Sequence, residues 1–101
     1  MKTIDEIRAD LRNIRFYYSN RKYFLGAAKI IGENVIVSTV NEYATAMKFA
    51  PPQLYSLYSQ LYVDGGTQYS VAYRLSYSEG YIQKQNSKLL NYLYDYFNDK
   101  S

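Results

Sequence analysis

Apolar residues at Ile4, Ile7, Leu11, Ile14, Tyr18, Leu25 and Ala28 recur at alternating steps of three and four, with Arg21 filling the one gap. That spacing puts them on one stripe and predicts a helix of about 28 residues from Thr3, ending near Gly32. Thr3 followed by Glu6 suits a capping box, the threonine oxygen taking an orphan amide and the glutamate reaching back. Gly26 weakens the middle of this helix by about 1 kcal/mol relative to alanine. Val35-Ile36-Val37 has strand propensity, but the chain offers no second strand to pair with it, and a lone strand is not viable. Val37, Val40, Ala44 and Met47, with Tyr43 beside them, instead suit a second helix of about 12–15 residues running to Phe49. Pro51-Pro52 ends it, since proline lacks an amide and restricts the residue before it. Pro52 then fits the first turn of a third helix that buries Leu54, Leu57, Tyr58 and Leu61.

Asp64-Gly65-Gly66 closes the third helix and leads into two more. One opens at Thr67 and runs through Ala72 to Leu75. A three-residue corner, Ser76-Tyr77-Ser78, follows, and the last helix extends from Ser78 past Leu93 to Phe97. Thr67 and Ser78 are residue types that cap orphan amides well. Ala72 is small enough to let the two helices cross closely, and Leu75 and Ile82 are expected in the core. With Ile82, Leu89 and Leu93 buried, the last helix leaves Glu79, Gly80, Gln83, Lys84, Ser87 and Lys88 outward. This is the layout of a helix-turn-helix, whose second helix enters the DNA major groove. Glutamine pairs bidentately with adenine, lysine meets guanine or phosphate, and glutamate accepts from cytosine. Thr67 and Gln68 are placed to hold a phosphate on exposed amides. Tyr69 and Tyr81 either touch phosphate or pack. Ser76 stands where a positive φ is often required and glycine is easiest. Gln85 and Asn86 are polar where a reader helix commonly keeps an apolar anchor. The bland reading is an αα-hairpin of a small helical domain that never meets nucleic acid.

The pattern therefore predicts an all-α fold of about five helices: an N-terminal helical hairpin over residues 1–50, for packing or oligomerisation, and a three-helix unit with the helix-turn-helix over residues 51–101. A chain of 101 residues suits one domain of modest core. Without cysteine or histidine, disulfides, zinc fingers, thiol nucleophiles and imidazole chemistry are excluded together. The N-terminus is charged from Lys2 and has no apolar h-region, so no signal peptide is expected. Nor does any run approach the roughly 20 apolar residues of a membrane span. The expectation is a cytoplasmic protein. Tyrosine is abnormally frequent, 14 residues of 101, which an AT-rich coding sequence explains more simply than a dedicated stacking surface. Many of these rings should sit at core margins, where their hydroxyls find partners.

Charge is unevenly placed. From Arg8 to Lys29 six basic residues face Asp10 alone, a balance of +5, whereas residues 51–101 carry four basic and four acidic residues and balance to zero. Duplex attraction would thus need help from the N-terminal arm or a second subunit. Arg8, Arg15, Lys22 and Lys29 recur every seven residues beside the apolar seam, as a solvated edge or as a stripe that meets DNA or an acidic partner. Catalysis is not expected. Gly65-Gly66 is no phosphate loop, lacking a following Gly-Lys-Ser/Thr, and the carboxylates are scattered rather than paired. No cofactor or metal is implied.

The segment from Pro51-Pro52 through Leu61-Tyr62, Gly65, Thr67, then Gln68, Ala72 and Leu75, then Ser78, Tyr81 and Ile82 resembles the region-four-type helix-turn-helix of sigma factors. It is closer still to small phage and Gram-positive regulators of the ArpU and late-transcription-activator kind. The resemblance covers about half the chain and implies a sequence-specific regulator of phage or prophage promoters. It places contacts at Gln68 before the turn and at Ser78, Glu79, Gln83 and Lys84 after it. Expected partners are double-stranded DNA, RNA polymerase, and a second copy supplying two-fold symmetry. The rival from another class is a small helical adaptor that docks on a host protein such as RNA polymerase without reading DNA.

Overall fold

The computed structural model describes residues 1–21 and 35–99. Among them lie five α-helices: α1 (Ile4–Ser19), α2 (Val35–Met47), α3 (Pro52–Tyr58), α4 (Gln68–Leu75) and α5 (Glu79–Asn98). No strand occurs among the described residues, so the all-α expectation holds and a hairpin followed by a three-helix unit is compatible with this order. No helix among them is long and apolar enough to cross a membrane.

α1 starts as its sequence predicts. The Glu6 amide donates to the Thr3 hydroxyl at 3.1 Å and the Thr3 amide donates to the Glu6 carboxylate at 2.9 Å, which closes the capping box. α1 ends at Ser19 and Arg21 is again helical after the break at Asn20, while the rest of the stretch expected to run to Gly32 lies outside the described residues. Asn20 leaves helical backbone at φ −127° and ψ 35°. Its side-chain amide donates to the Phe16 carbonyl at 3.0 Å, beside its own backbone amide at 3.1 Å, so the helix end is tied to the preceding turn twice. Leu25, Gly26, Ala28 and Gly32 lie outside the described residues. The seam itself turns by one position: Ile7, Leu11, Ile14 and Tyr17 are buried, while Ile4 and Tyr18 are half-buried.

α1 packs on α2, on α5 and on the end of the third helix. Residues from all five helices enter one core, so the segments before and after Pro51 share it. α2 ends at Met47, before Phe49, which is exposed. Its buried face is Val40, Tyr43, Ala46 and Met47, with Ala46 in the place expected for Ala44. Tyr92 donates its hydroxyl at 2.8 Å to the Ala46 carbonyl, which also takes the Phe49 amide at 3.4 Å at the end of α2. α3 begins on Pro52 and buries the four predicted residues Leu54, Leu57, Tyr58 and, beyond its end, Leu61.

The chain ends are clasped. The Lys2 amide donates to the Asn98 side-chain oxygen at 2.9 Å, and the Asn98 side-chain amide returns a bond to the Lys2 carbonyl at 2.8 Å. Tyr43, wholly buried, donates its hydroxyl to Asp10 at 2.7 Å, and the Lys2 ammonium lies 3.0 Å from the same carboxylate oxygen. Burial, reinforced by Asp10, pushes the Tyr43 hydroxyl far above the usual phenol range. Three tyrosines, Tyr17, Tyr43 and Tyr58, are fully inside, more than core margins alone would hold. Tyr58 stands apart: its buried hydroxyl has no hydrogen-bond partner among the described residues.

The third helix does not end as an α-turn. From Ser59 to Val63 it widens into a π-turn, closed by the Asp64 amide donating to the Ser59 carbonyl at 2.7 Å. Gly65 follows at φ +76°, and the Gly66 amide donates back to the Gln60 carbonyl at 2.9 Å. A Cβ on Gly66 would lie 2.8 Å from that same backbone oxygen, inside contact distance. Arg15 reaches across from α1 and donates its guanidinium to the Gly65 carbonyl at 2.9 Å. This arginine ties α1 to the loop that aims α4.

Two substitutions test this account. Gly66→Ala forces the π-turn and the α4 entry apart and should destabilise the fold by about 1–3 kcal/mol in urea unfolding. An unchanged midpoint would mean that the crossing is looser than described. Tyr58→Phe removes an unpaired buried hydroxyl and should raise stability by about 1 kcal/mol. A drop of that size would reveal a partner for the hydroxyl.

Candidate nucleic-acid interface

α4 and α5 pack on each other across the corner expected from the sequence. Thr67 caps α4, its hydroxyl accepting from the Ser70 amide at 2.9 Å while the Ser70 hydroxyl accepts from the Thr67 amide at 2.9 Å. Serine here completes the reciprocal box that glutamate usually closes. Val71 and Ala72 are the buried positions of this short helix.

The corner itself is a Schellman turn. Ser76 adopts φ 60° and ψ 33°, the left-handed region where glycine is cheapest. The Tyr77 amide donates to the Ala72 carbonyl at 2.9 Å and the Ser76 amide donates to Tyr73 at 3.3 Å. Glycine is therefore absent from a position that does need a positive φ, and the two hydrogen bonds hold serine there. Ser78 caps α5 by accepting from the Tyr81 amide at 3.1 Å.

α5 buries Ile82, Leu89, Leu90 and Leu93. Glu79, Gly80, Gln83, Lys84, Ser87 and Lys88 are all exposed, together with Thr67 and Ser78 at the caps, whereas Gln68 is half-buried. These six positions on α5 thus share open surface, and no described residue of the N-terminal half covers them. Lys84 and Lys88, one turn apart, form no ion pair among the described residues. The caps play a different part from the rest. The hydroxyls of Thr67 and Ser78 are engaged by backbone amides, so their first role is to start the helices.

Leu75 corrects the sequence reading. Expected in the core, it is 42% exposed, because the left-handed turn begins at once after it and carries the last helical side chain off the packed face. Asn86 is explained too. The Tyr62 hydroxyl, displaced by the π-turn, donates to its side-chain oxygen at 2.7 Å, so a polar residue anchors α5 where an apolar one is common. Of the basic stripe, Arg15 donates to the Gly65 carbonyl and Arg8 lies 3.6 Å from Asp5, while Lys22 and Lys29 fall outside the described residues. Sequence reasoning passed over Arg74, an exposed cation in the last turn of α4 with no ion pair among the described residues. Its position just before the corner was the available signal.

Comparison with protein-family models, curated proteins and solved structures finds no match, so the likeness to region-four-type regulators rests on this chain's own residues.

Gly80 is the residue whose identity the fold does not require. A Cβ built there meets nothing within 4 Å, and the position is helical. Gly80→Ala should therefore stabilise the free protein by about 0.5–1 kcal/mol, read as a higher melting temperature. A lower one would show that the backbone at Gly80 departs from a helix.

Proposed function

We propose that this chain is a sequence-specific double-stranded DNA-binding regulator of transcription, of the phage or prophage regulator kind its C-terminal half resembles. One observation carries the reading: the polar side of α5 from Glu79 to Lys88 is uncovered, on a helix that follows a tight left-handed corner. In this assignment Gln83 reads a base edge, with Glu79 and Lys84 beside it. Lys88 and the start of α4, at Thr67 and Gln68, meet phosphate. Gly80 lets the α5 backbone approach the duplex closely, which accounts for a glycine the fold itself does not need. Ser87 lies at the far edge of the same face. Balanced charge over residues 51–101 makes a second subunit or a bound RNA polymerase part of the working assembly. The host cytoplasm is the compartment this role requires.

A second reading has its own support. Tyr69 and Tyr73, one turn apart on α4, are exposed, Tyr73 by 80%. Large rings left in solvent suit an adaptor that docks on a host protein. Salt separates the two, because counterion release makes duplex binding fall steeply with added salt and apolar docking fall little.

Selection of bound duplexes from a random pool at two salt concentrations should enrich a motif. On the enriched duplex, Gln83→Ala should lose about 1–3 kcal/mol at one base position, whereas Lys88→Ala should weaken all sequences alike and lower the salt slope by about one. If neither variant differs from the parent, α5 is not the reading element.

A further inference from the structure

The start of α3 and the helix-turn-helix corner enclose a groove of about 390 Å³, within the ~300–1,000 Å³ range of sites that take small organic ligands. Its floor is apolar, built on the buried side chains of Leu57 and Ile82. Leu75, half out of the core, lines it from the end of α4. Along one side Tyr77 and Tyr81 make an aromatic wall, their ring centres 4.4 Å apart and their planes 35° apart. Three carboxamides, Gln53, Gln60 and Gln85, join the lining with Pro52 and Ser56. Gln60 donates to Ser56 at 3.1 Å. The amide heads of Gln53 and Gln85 and the hydroxyls of both tyrosines have no protein partner among the described residues. No charged side chain lines the groove among those residues.

Three properties of a ligand follow. An aromatic wall over an apolar floor favours a flat, unsaturated ring. A carboxamide holds a donor beside an acceptor and so matches a heterocycle edge with the same pairing, as adenine offers at N6 and N7. A lining without charge penalises an enclosed anion, so any phosphate on the ligand must stay outside. We propose that this groove binds the base of a purine nucleoside, stacked on the Tyr77–Tyr81 wall with its hydrogen-bonding edge toward Gln53 and Gln85. Such a base arrives either as a free nucleoside or as an unpaired base in a strand. The site uses none of the α5 residues assigned to duplex reading, and it stands or falls separately from that role.

The test uses the intact chain and 2-aminopurine, which keeps a donor beside an acceptor at its 2-amino group and N1 and whose fluorescence is quenched on stacking. One arm titrates the free riboside, a second a single strand carrying one 2-aminopurine, and a third the same strand in a duplex. Saturable quenching of the riboside identifies a free-nucleoside site, and quenching of the strand alone identifies an unpaired-base site. Gln85→Ala should weaken either about tenfold, the size of one lost base-edge pairing. Tyr77→Phe keeps the wall and should bind like the parent, and Tyr77→Ala should bind markedly less, with melting curves checking that each variant is folded. Absence of saturable quenching in both unpaired arms overturns the proposal, as does equal binding by Gln85→Ala and Tyr77→Ala. An enriched duplex motif without quenching in either unpaired arm sinks this site and leaves the duplex reading standing; quenching without any motif does the reverse.

Discussion

The Gly66 backbone crosses the Gln60 carbonyl so closely that a single methyl group would separate them. Everything C-terminal to that point takes its direction from this contact. The π-turn supplies the carbonyl, the Gly66 amide accepts the short path by donating to it, and Gly65 turns the chain through a positive φ. Arg15 then fastens the Gly65 carbonyl to α1. A connection of three residues is thereby held by backbone bonds on one side and by a guanidinium on the other. It leaves α4 little freedom in how it meets the core.

The consequence for the last helix is a division of labour between its sides. One side carries Ile82, Leu89, Leu90 and Leu93 inward, and Asn86 adds a polar anchor through Tyr62. The opposite side is left to solvent because α1, α3 and α4 already occupy the inward one. A face kept open by the packing of three neighbours is a rigid platform, which any recognition of a stiff partner needs. The groove beside it shares the same origin, since the left-handed Ser76 lifts Leu75, Tyr77 and Tyr81 away from the packed layer.

Much of this was legible beforehand, and the reasons are local. The caps at Thr3, Thr67 and Ser78, the stop at Pro51, the buried face of α3 and the strain at Ser76 all follow from side chains within a few residues of where they act. The misreadings are of another kind. A heptad pattern carries the first helix past Ser19, and nothing in that periodicity marks the departure of Asn20 from helical backbone. Ala44 was put inside in place of Ala46 because two small residues flank the same stripe, and only the neighbour decides which faces it. Arg15 shares the spacing of a charged stripe, and that spacing gives no sign of its partner fifty positions on.

The sequence by itself determined where four of the five described helices begin, which of their sides are apolar, and that the corner before α5 must be tight. Those properties depend on backbone propensity and on hydrogen bonds spanning one or two turns. Tertiary structure alone decided that a π-turn follows α3, that Arg15 is a strut, that Asn86 is an anchor, and that Leu75 borders a groove. Each of these depends on distances between residues far apart in the chain, which no periodicity along it encodes.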